Sequence, residues 1–363
     1  MQVKLGDVCD RGTSNLKQAD VEGKSGNYPI YGAAGYIGNI DFFHQKKVYV
    51  AVVKDGAGVG RTMLLPAKSS VIGTMQYLIP KDNVLPEYLC YVVKYMHLEK
   101  YFTGATIPHI YFRDYKNEKF NLDKLDKQTE IIKILSHVEK IIDAKKQELL
   151  KLDTLNKARF VEMFGDTEDF SSVSLEESVE EMFIGPFGSS LKNECFVSKE
   201  EGFCMVYEQK HAIRKTMDVE TRFVDKSKYK ELERFTVKGG DIIVSCRGTI
   251  GETFIVPPDA PLGIMHPSIM KIRLKKDTYD CTFFDYLLQN ALKKHEAEAN
   301  GSGVKMAITA TALGKEKFII PSMNLQKHFS AFVQQVDKSK FAVKKALDET
   351  QVLFDSLMQK YFG

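Results

Sequence analysis

A glycine-rich turn after an apolar strand is the arrangement that cradles phosphates. Asp55-Gly56-Ala57-Gly58-Val59-Gly60-Arg61 follows Val48-Tyr49-Val50-Ala51-Val52-Val53 in that way. The spacing fits neither phosphate-binding pattern, because Arg61 stands where the last glycine of G-x-G-x-x-G would fall and no G-x-x-x-x-G-K-[ST] string occurs. A tight turn between strands is the simpler reading. A second loop, Cys246-Arg247-Gly248-Thr249-Ile250-Gly251, keeps only part of the glycine pattern. Acid–base or nucleophilic chemistry finds no constellation around His44, His97, His109, His137, His211, His266, His295 or His328. Cys9, Cys90, Cys195, Cys204, Cys246 and Cys281 are scattered without a C-x-x-C pair, so free, mostly buried thiols and no metal site are expected.

What remains is charge on loops. Lys46, Lys47, Lys54 and Arg61 flank the first glycine turn, and Lys210, Arg214, Lys215, Arg222 and Arg247 recur further on. Lysine and arginine on exposed loops can position DNA phosphates and read guanine. Acids such as Asp218, Glu220 and Asp225 lie among them, so any one of these cations also reads as solvated surface. The net charge of +3 across 363 residues means that a DNA-binding charge would be local.

The length suits two domains, and 44% hydrophobic with 27% charged residues is a globular composition. No run approaches the roughly 20 apolar residues that span a bilayer, and Met1–Asp7 lacks a signal-peptide core. A cytoplasmic location and no membrane contact are expected.

The chain repeats itself. Glu118-Lys119-Phe120 matches Glu316-Lys317-Phe318 at an offset of 198, and the same offset carries Gln128 onto Gln326 and Phe164-Gly165 onto Phe362-Gly363. Of the 48 pairs so aligned, 12 are identical without a gap, well above chance. Upstream the likeness continues at shifting offsets. Val59-Gly60-Arg61-Thr62 resembles Ile250-Gly251-Glu252-Thr253 at 191, and Leu5-Gly6-Asp7-Val8 resembles Leu175-Glu176-Glu177-Ser178 at 170. The helical part is therefore locked in length, while the second globular part carries extra loops.

From about 122 to 163, Ile131, Leu135, Val138, Ile142, Leu149 and Leu152 recur at helical steps. The second copy places Phe329, Val333, Val336, Val343, Leu347, Phe354 and Leu357 on a like stripe, with Pro321 at its opening. About 42 residues at 1.5 Å each make a rod of about 60 Å, which needs a partner. The other copy is the obvious one. The globular parts read as mixed, with strands at Val48–Val53 and Asp241–Val244. Short helices are expected over Pro86–Lys100 and Phe283–Glu298, and loops at Thr103-Gly104-Ala105-Thr106 and Asn300-Gly301-Ser302-Gly303. The expected fold is α+β: two pseudo-symmetric globular domains, 1–120 and 166–318, separated by an antiparallel two-helix coiled coil from 121–165 and 319–363.

The duplicated order, together with Tyr28-Pro29-Ile30-Tyr31-Gly32-Ala33-Ala34-Gly35, Gly239-Gly240-Asp241-Ile242-Ile243-Val244-Ser245 and Phe318-Ile319-Ile320-Pro321, resembles the specificity subunit of type I restriction-modification systems. One departure is Asp123, which stands where the second copy has Pro321. The resemblance implies a non-catalytic subunit whose two target recognition domains each read half of a bipartite site on double-stranded DNA. It implies two methyltransferase subunits docked on the helices and, in the full enzyme, two restriction subunits. S-adenosylmethionine, ATP and magnesium would belong to those partners, with no cofactor on this chain. The divergent domains imply an asymmetric site, whose half-sites a fixed rod would space. A coiled-coil protein adaptor without DNA specificity is the other reading, and modified-base sequencing or a gel shift separates the two.

Overall fold

The computed structural model describes residues 1–102, 108–165, 169–247, 249–302 and 309–363, with the backbone alone for 296–302. The loop expected at Thr103–Thr106 lies outside the described residues, as do Gly248 and Gly303. The chain forms two compact units: Met1–Leu149 with Ala342–Gly363, and Leu150–Phe341.

Unit 1 opens with β1 (Gln2–Lys4), the single turn α1 (Leu5–Val8) and β2 (Cys9–Thr13). The hairpin β3 (Tyr28–Gly32) and β4 (Gly35–Ile40) follows, then β5 (Tyr49–Val53) and β6 (Thr62–Leu65). After β7 (Ser70–Val71) and β8 (Met75–Pro80) come α2 (Pro86–Tyr95), α3 (Phe112–Tyr115) and β9 (Lys119–Asn121), which leads into α4 (Leu125–Phe164).

Unit 2 repeats this plan with insertions. It has β10 (Ser172–Ser174), α5 (Leu175–Ser178), β11 (Val179–Ile184) and β12 (Cys204–Tyr207). The extra elements α6 (Gln209–Arg214), β13 (Phe223–Val224), α7 (Lys226–Glu231) and β14 (Thr236–Val237) precede β15 (Ile242–Ser245). Then come β16 (Thr253–Ile255), β17 (Gly263–Met265), β18 (Ile269–Leu274), α8 (Cys281–Ser302) and α9 (Ala310–Gly314). Strand β19 (Lys317–Ile319) leads into α10 (Met323–Phe362).

The sheets share one framework, with β14 added in unit 2. Order β2-β8-β5-β6 in unit 1 equals β11-β18-β15-β16 in unit 2. The pair β1·β9 likewise equals β10·β19, and parallel β3·β7 equals parallel β12·β17. The central strands explain why their sequences are continuously apolar. In β5, Val50 and Val52 face the core under α2, whereas Tyr49, Ala51 and Val53 face a second cluster with Val71 and Tyr77. In β15, Ile242 and Val244 face one cluster and Ile243 another. Period-two alternation buries both faces.

Both long helices run through the two units. In unit 1, Ile131 and Leu135 of α4 share a core with Met358 and Phe362 of α10. In unit 2, Phe160 and Phe164 of α4 meet Phe329 of α10, ring centroids 5.6 and 5.7 Å apart. The start of α4 thus pairs with the end of α10 and its end with the start of α10, an antiparallel pairing. Despite Asp123 in place of proline, Leu125 and Met323 begin the helices at the same offset of 198 at which Phe164 and Phe362 end them. Gly165 stops the first as its position predicts. Pro321 sits two residues ahead of α10 rather than in its first turn. Helix α2 ends at Tyr95, short of Lys100, while α8 runs on to Ser302 and takes in Asn300–Ser302, where a loop is expected. The hydrogen-bonded backbone of α8 overrides the weak helix preference of Gly301.

Candidate nucleic-acid interface

One turn organises the loops of each unit. In unit 1 it is Ile72–Thr74, between β7 and β8. The Ile72 N–H donates to Tyr31 O at the end of β3 (3.0 Å), Gly73 N–H to Leu16 O (2.7 Å), and Lys54 N–H to Thr74 O (2.9 Å). In unit 2 it is His266–Ser268, between β17 and β18. The His266 N–H donates to Tyr207 O at the end of β12 (2.9 Å), Cys246 N–H to Ser268 O (2.8 Å), and Gly185 N–H to Ile269 O (2.9 Å). The loops leaving three strands therefore meet at one edge of each unit, which is where a sheet scaffold places variable binding residues.

The glycine turns stand on the same plan. Gly60 N–H reaches Val53 O (2.8 Å) and Gly251 N–H reaches Ser245 O (2.9 Å), each glycine with φ of 87°. The left-handed backbone needs glycine at both. The amides of Gly56, Val59, Gly60 and Arg61 all donate to carbonyls of the chain, at Pro108, Gly56, Val53 and Gly58. Amides spent in this way are not available to a phosphate, and the tight-turn reading stands.

Around the unit 1 turn, Arg61 is exposed and its Nη1 donates to Ala33 O in the β3–β4 hairpin (2.9 Å). Lys54 pairs with Asp55 (2.5 Å), and burial lowers its pKa. Asp55 also binds His109, whose pKa is lowered by burial and by Lys54. This His–carboxylate pair, 54 residues apart in sequence, was not visible as a motif. Lys46 and Lys47 are exposed and precede β5, whereas Lys54 follows it, so a whole strand separates them. The structure brings Lys54 and Arg61 together and leaves Lys46 and Lys47 at the other end of that strand.

In unit 2, Lys210 (2.8 Å) and Arg222 both bind the Glu208 carboxylate, and Arg222 lies over the Phe196 ring, 4.0 Å from its centroid. Burial pushes Glu208 up, but the two cations outweigh it and hold its pKa below the usual range. Lys215 pairs with Glu252 (3.0 Å) and donates to Thr253 O (2.5 Å) beside the glycine turn. Arg214 and Arg247 are exposed and make no ion pair among the described residues. His266 is half-buried within electrostatic reach of Glu208, Arg222, Arg247 and Lys210, and burial lowers its pKa first of all. The arrangement can hold phosphate and base edges by charge-assisted hydrogen bonds.

Of the helix stripe, Ile131, Leu135, Val138, Ile142, Phe329, Val333, Val336 and Val343 are buried. Leu149, Leu152, Leu347, Phe354 and Leu357 are half-buried. The stripe omits Met358, Phe362, Phe160 and Phe164, which sit in or against the same cores and lie outside the heptad-like spacing. All six cysteines are free, three buried and three half-buried. Burial raises the thiol pKa to about 12 at Cys9 and about 11 at Cys90, Cys204 and Cys246. Among the described residues no group of three or more His, Cys, Asp or Glu is placed to hold a metal, and no helix is long and apolar enough to cross a membrane.

This two-unit α+β fold is that of solved specificity subunits. The type I restriction-modification S subunit from M. genitalium is 17% identical, with 100% of this chain and 96% of that one covered at a TM-score of 0.60. A chain from a study of complex assembly and conformational transition of the type I R-M system is 15% identical, with 99% and 97% covered at 0.54. At such identities the likeness establishes the fold. No curated protein matches the sequence significantly. The sequence matches the type I restriction modification DNA specificity domain twice, over residues 1–154 and 177–350, and the chain belongs to that family.

Proposed function

We propose that this chain is the sequence-specific DNA-binding subunit of a type I restriction-modification complex, and that it supplies no catalytic group of its own. Each unit reads one half of a bipartite site on double-stranded DNA. The observation that carries this reading is the duplicated turn, Ile72–Thr74 and His266–Ser268, with cations gathered beside it in both units. The framework is shared but the loops are not. Unit 2 adds α6 and α7 between β12 and β15, so the two half-sites differ and the target is non-palindromic. Of the nine cations named above, the seven from Lys54 to Arg247 supply phosphate and base contacts, while Lys46 and Lys47, at the far end of β5, contribute little. The paired helices carry two methyltransferase subunits and, in a restricting complex, two restriction subunits. S-adenosylmethionine, ATP and magnesium are bound by those partners, and the complex works in the cytoplasm.

The test is to co-express the chain with its methyltransferase partner and sequence the modified bases. One motif with two unlike halves around a degenerate spacer is expected, and a palindromic motif would refute the asymmetry. A gel shift by the complex with no sequence preference would refute DNA reading and leave the protein adaptor.

A further inference from the structure

We propose that Phe187 is a wedge that enters a base step of the half-site read by unit 2, an inference that rests on the DNA-reading function above. Phe187 is 87% exposed, more than any other large hydrophobic residue among the described residues. Its backbone, by contrast, is fixed on both sides. Gly185 N–H donates to Ile269 O (2.9 Å), and Gly185 packs so closely on His266 that an added Cβ would lie 2.3 Å from the His266 carbonyl oxygen. Pro186 is buried. After the ring, Ser190 N–H returns to Phe187 O (2.9 Å), Lys228 Nζ donates to Ser190 O (3.3 Å), and Leu191 is buried in a core cluster. An apolar ring on a fixed loop has no role in the core and is held in water by design of the loop.

The surroundings point to one occupant. Cys246 N–H bonds Ser268 O in the His266–Ser268 turn, and Gly185 packs on His266 and bonds Ile269 O just after it, so the Phe187 loop and exposed Arg247 flank that turn. Lys210 and Arg222 bind the Glu208 carboxylate, and they and Arg247 all lie within electrostatic reach of His266 in that turn. A rigid aromatic amid excess positive charge matches a polyanion with stackable apolar faces, which is duplex DNA. Apolar wedges of this kind unstack one step and kink the duplex by roughly 20–90°.

The test uses the complex with the methyltransferase partner and a duplex carrying the mapped site, with dyes at its ends to report bending. The wild-type complex is expected to bend the duplex. F187A should bind about tenfold more weakly with a straighter duplex, and F187W should keep both affinity and bend. Equal affinity and bend for F187A and wild type would overturn the wedge while the DNA-reading function stands. Failure of the wild-type complex to prefer its mapped site would overturn both. Because the side chain is exposed, F187A should melt with wild type, which confirms an intact fold.

Discussion

Gln128 and Gln326 make the same three hydrogen bonds in the two units. Gln128 Oε1 accepts from Leu85 N–H (2.8 Å), while its Nε2 donates to Asn83 O (3.0 Å) and Asp123 O (2.9 Å). Gln326 Oε1 accepts from Asp280 N–H (2.9 Å), while its Nε2 donates to Thr278 O (3.3 Å) and Pro321 O (2.9 Å). Both amides are fully buried and pin the first turn of a long helix to the start of the module's own helix, α2 or α8. Removing one orphans three backbone groups, a cost of about 3 kcal/mol. Q128A and Q326A should each lower the free energy of unfolding, read from denaturant melts, by that amount. Hydrogen exchange should speed up at the Leu85 amide in the first variant and at the Asp280 amide in the second. A loss below about 0.5 kcal/mol in either would mean that water replaces the side chain.

The glycine turns make a second matched pair with unequal consequences. A Cβ on Gly60 would lie 2.6 Å from the Glu99 backbone nitrogen, in addition to the strain of a φ near 87°. G60A should cost about 2–3 kcal/mol and weaken DNA binding, because Gly58 packs against the Arg61 guanidinium in the same turn. G251A carries the same backbone strain and should cost about 1–2 kcal/mol. Thermal melts of the two variants check the order. A G60A protein as stable as wild type would show that the turn relaxes freely.

The helices were legible because nothing has been inserted in them. Gln128 and Gln326 align by counting alone, and the ends at Phe164 and Phe362 follow. Strand β5 was legible because burial on both faces leaves a run with no polar residue. The interface was not. Lys46, Lys47 and Lys54 look like one cluster in sequence, yet β5 carries the chain away between them. Lys210 and Arg222 meet on Glu208, and His266 comes close to them only through the parallel pairing of β12 with β17, whose residues lie about sixty apart in sequence. Local periodicity holds no record of such pairings. Phe187 was passed over because a lone exposed aromatic has no pattern to detect.

The split of the cations by β5 gives a prediction about binding. R61A and R247A, at the loop edge, should each weaken specific binding by about 1–3 kcal/mol, roughly 5- to 150-fold, through lost base-edge contacts. K46A/K47A should leave affinity for the mapped site within about twofold at the same salt, because these side chains lie at the far end of the strand. Titrations of the methyltransferase complex at two salt concentrations decide it. A larger loss for the lysine pair than for R61A would place the DNA at the wrong end of β5 for this reading.

The last prediction concerns an ion network around buried Lys271 that links β11, β14 and β18 to Asp241 at the head of β15. Lys271 is 1% exposed, with Nζ bound to Glu181 (2.6 Å) and Thr236 O (2.8 Å) and set 4.7 Å from the Phe183 ring centroid. Arg273 adds Glu181 (2.7 Å) and grips Asp241 through two nitrogens at 2.7 Å each. Burial pushes Glu181 up, but Lys271 and Arg273 outweigh it and leave its pKa below the ordinary carboxylate value. A carboxyl with a depressed folded pKa adds stability that is fully present above its unfolded pKa and is lost as pH falls through the folded one. E181Q, which takes the directly bonded carboxylate from a buried ammonium, should therefore cost about 1–2 kcal/mol at pH 7, less than a fully buried pair because Glu181 is about one-third exposed and Asp241 stays near Lys271. That deficit should shrink from about pH 5 downwards, as the wild-type carboxylate itself becomes protonated. The double variant E181Q/K271M should lose less than the sum of its single variants, because K271M removes the charge that E181Q strands. Urea melts of the four proteins at pH 7 and pH 4 measure both effects. A deficit that is the same at the two pH values, or single-variant losses that simply add, would show that Glu181 acts through packing rather than charge.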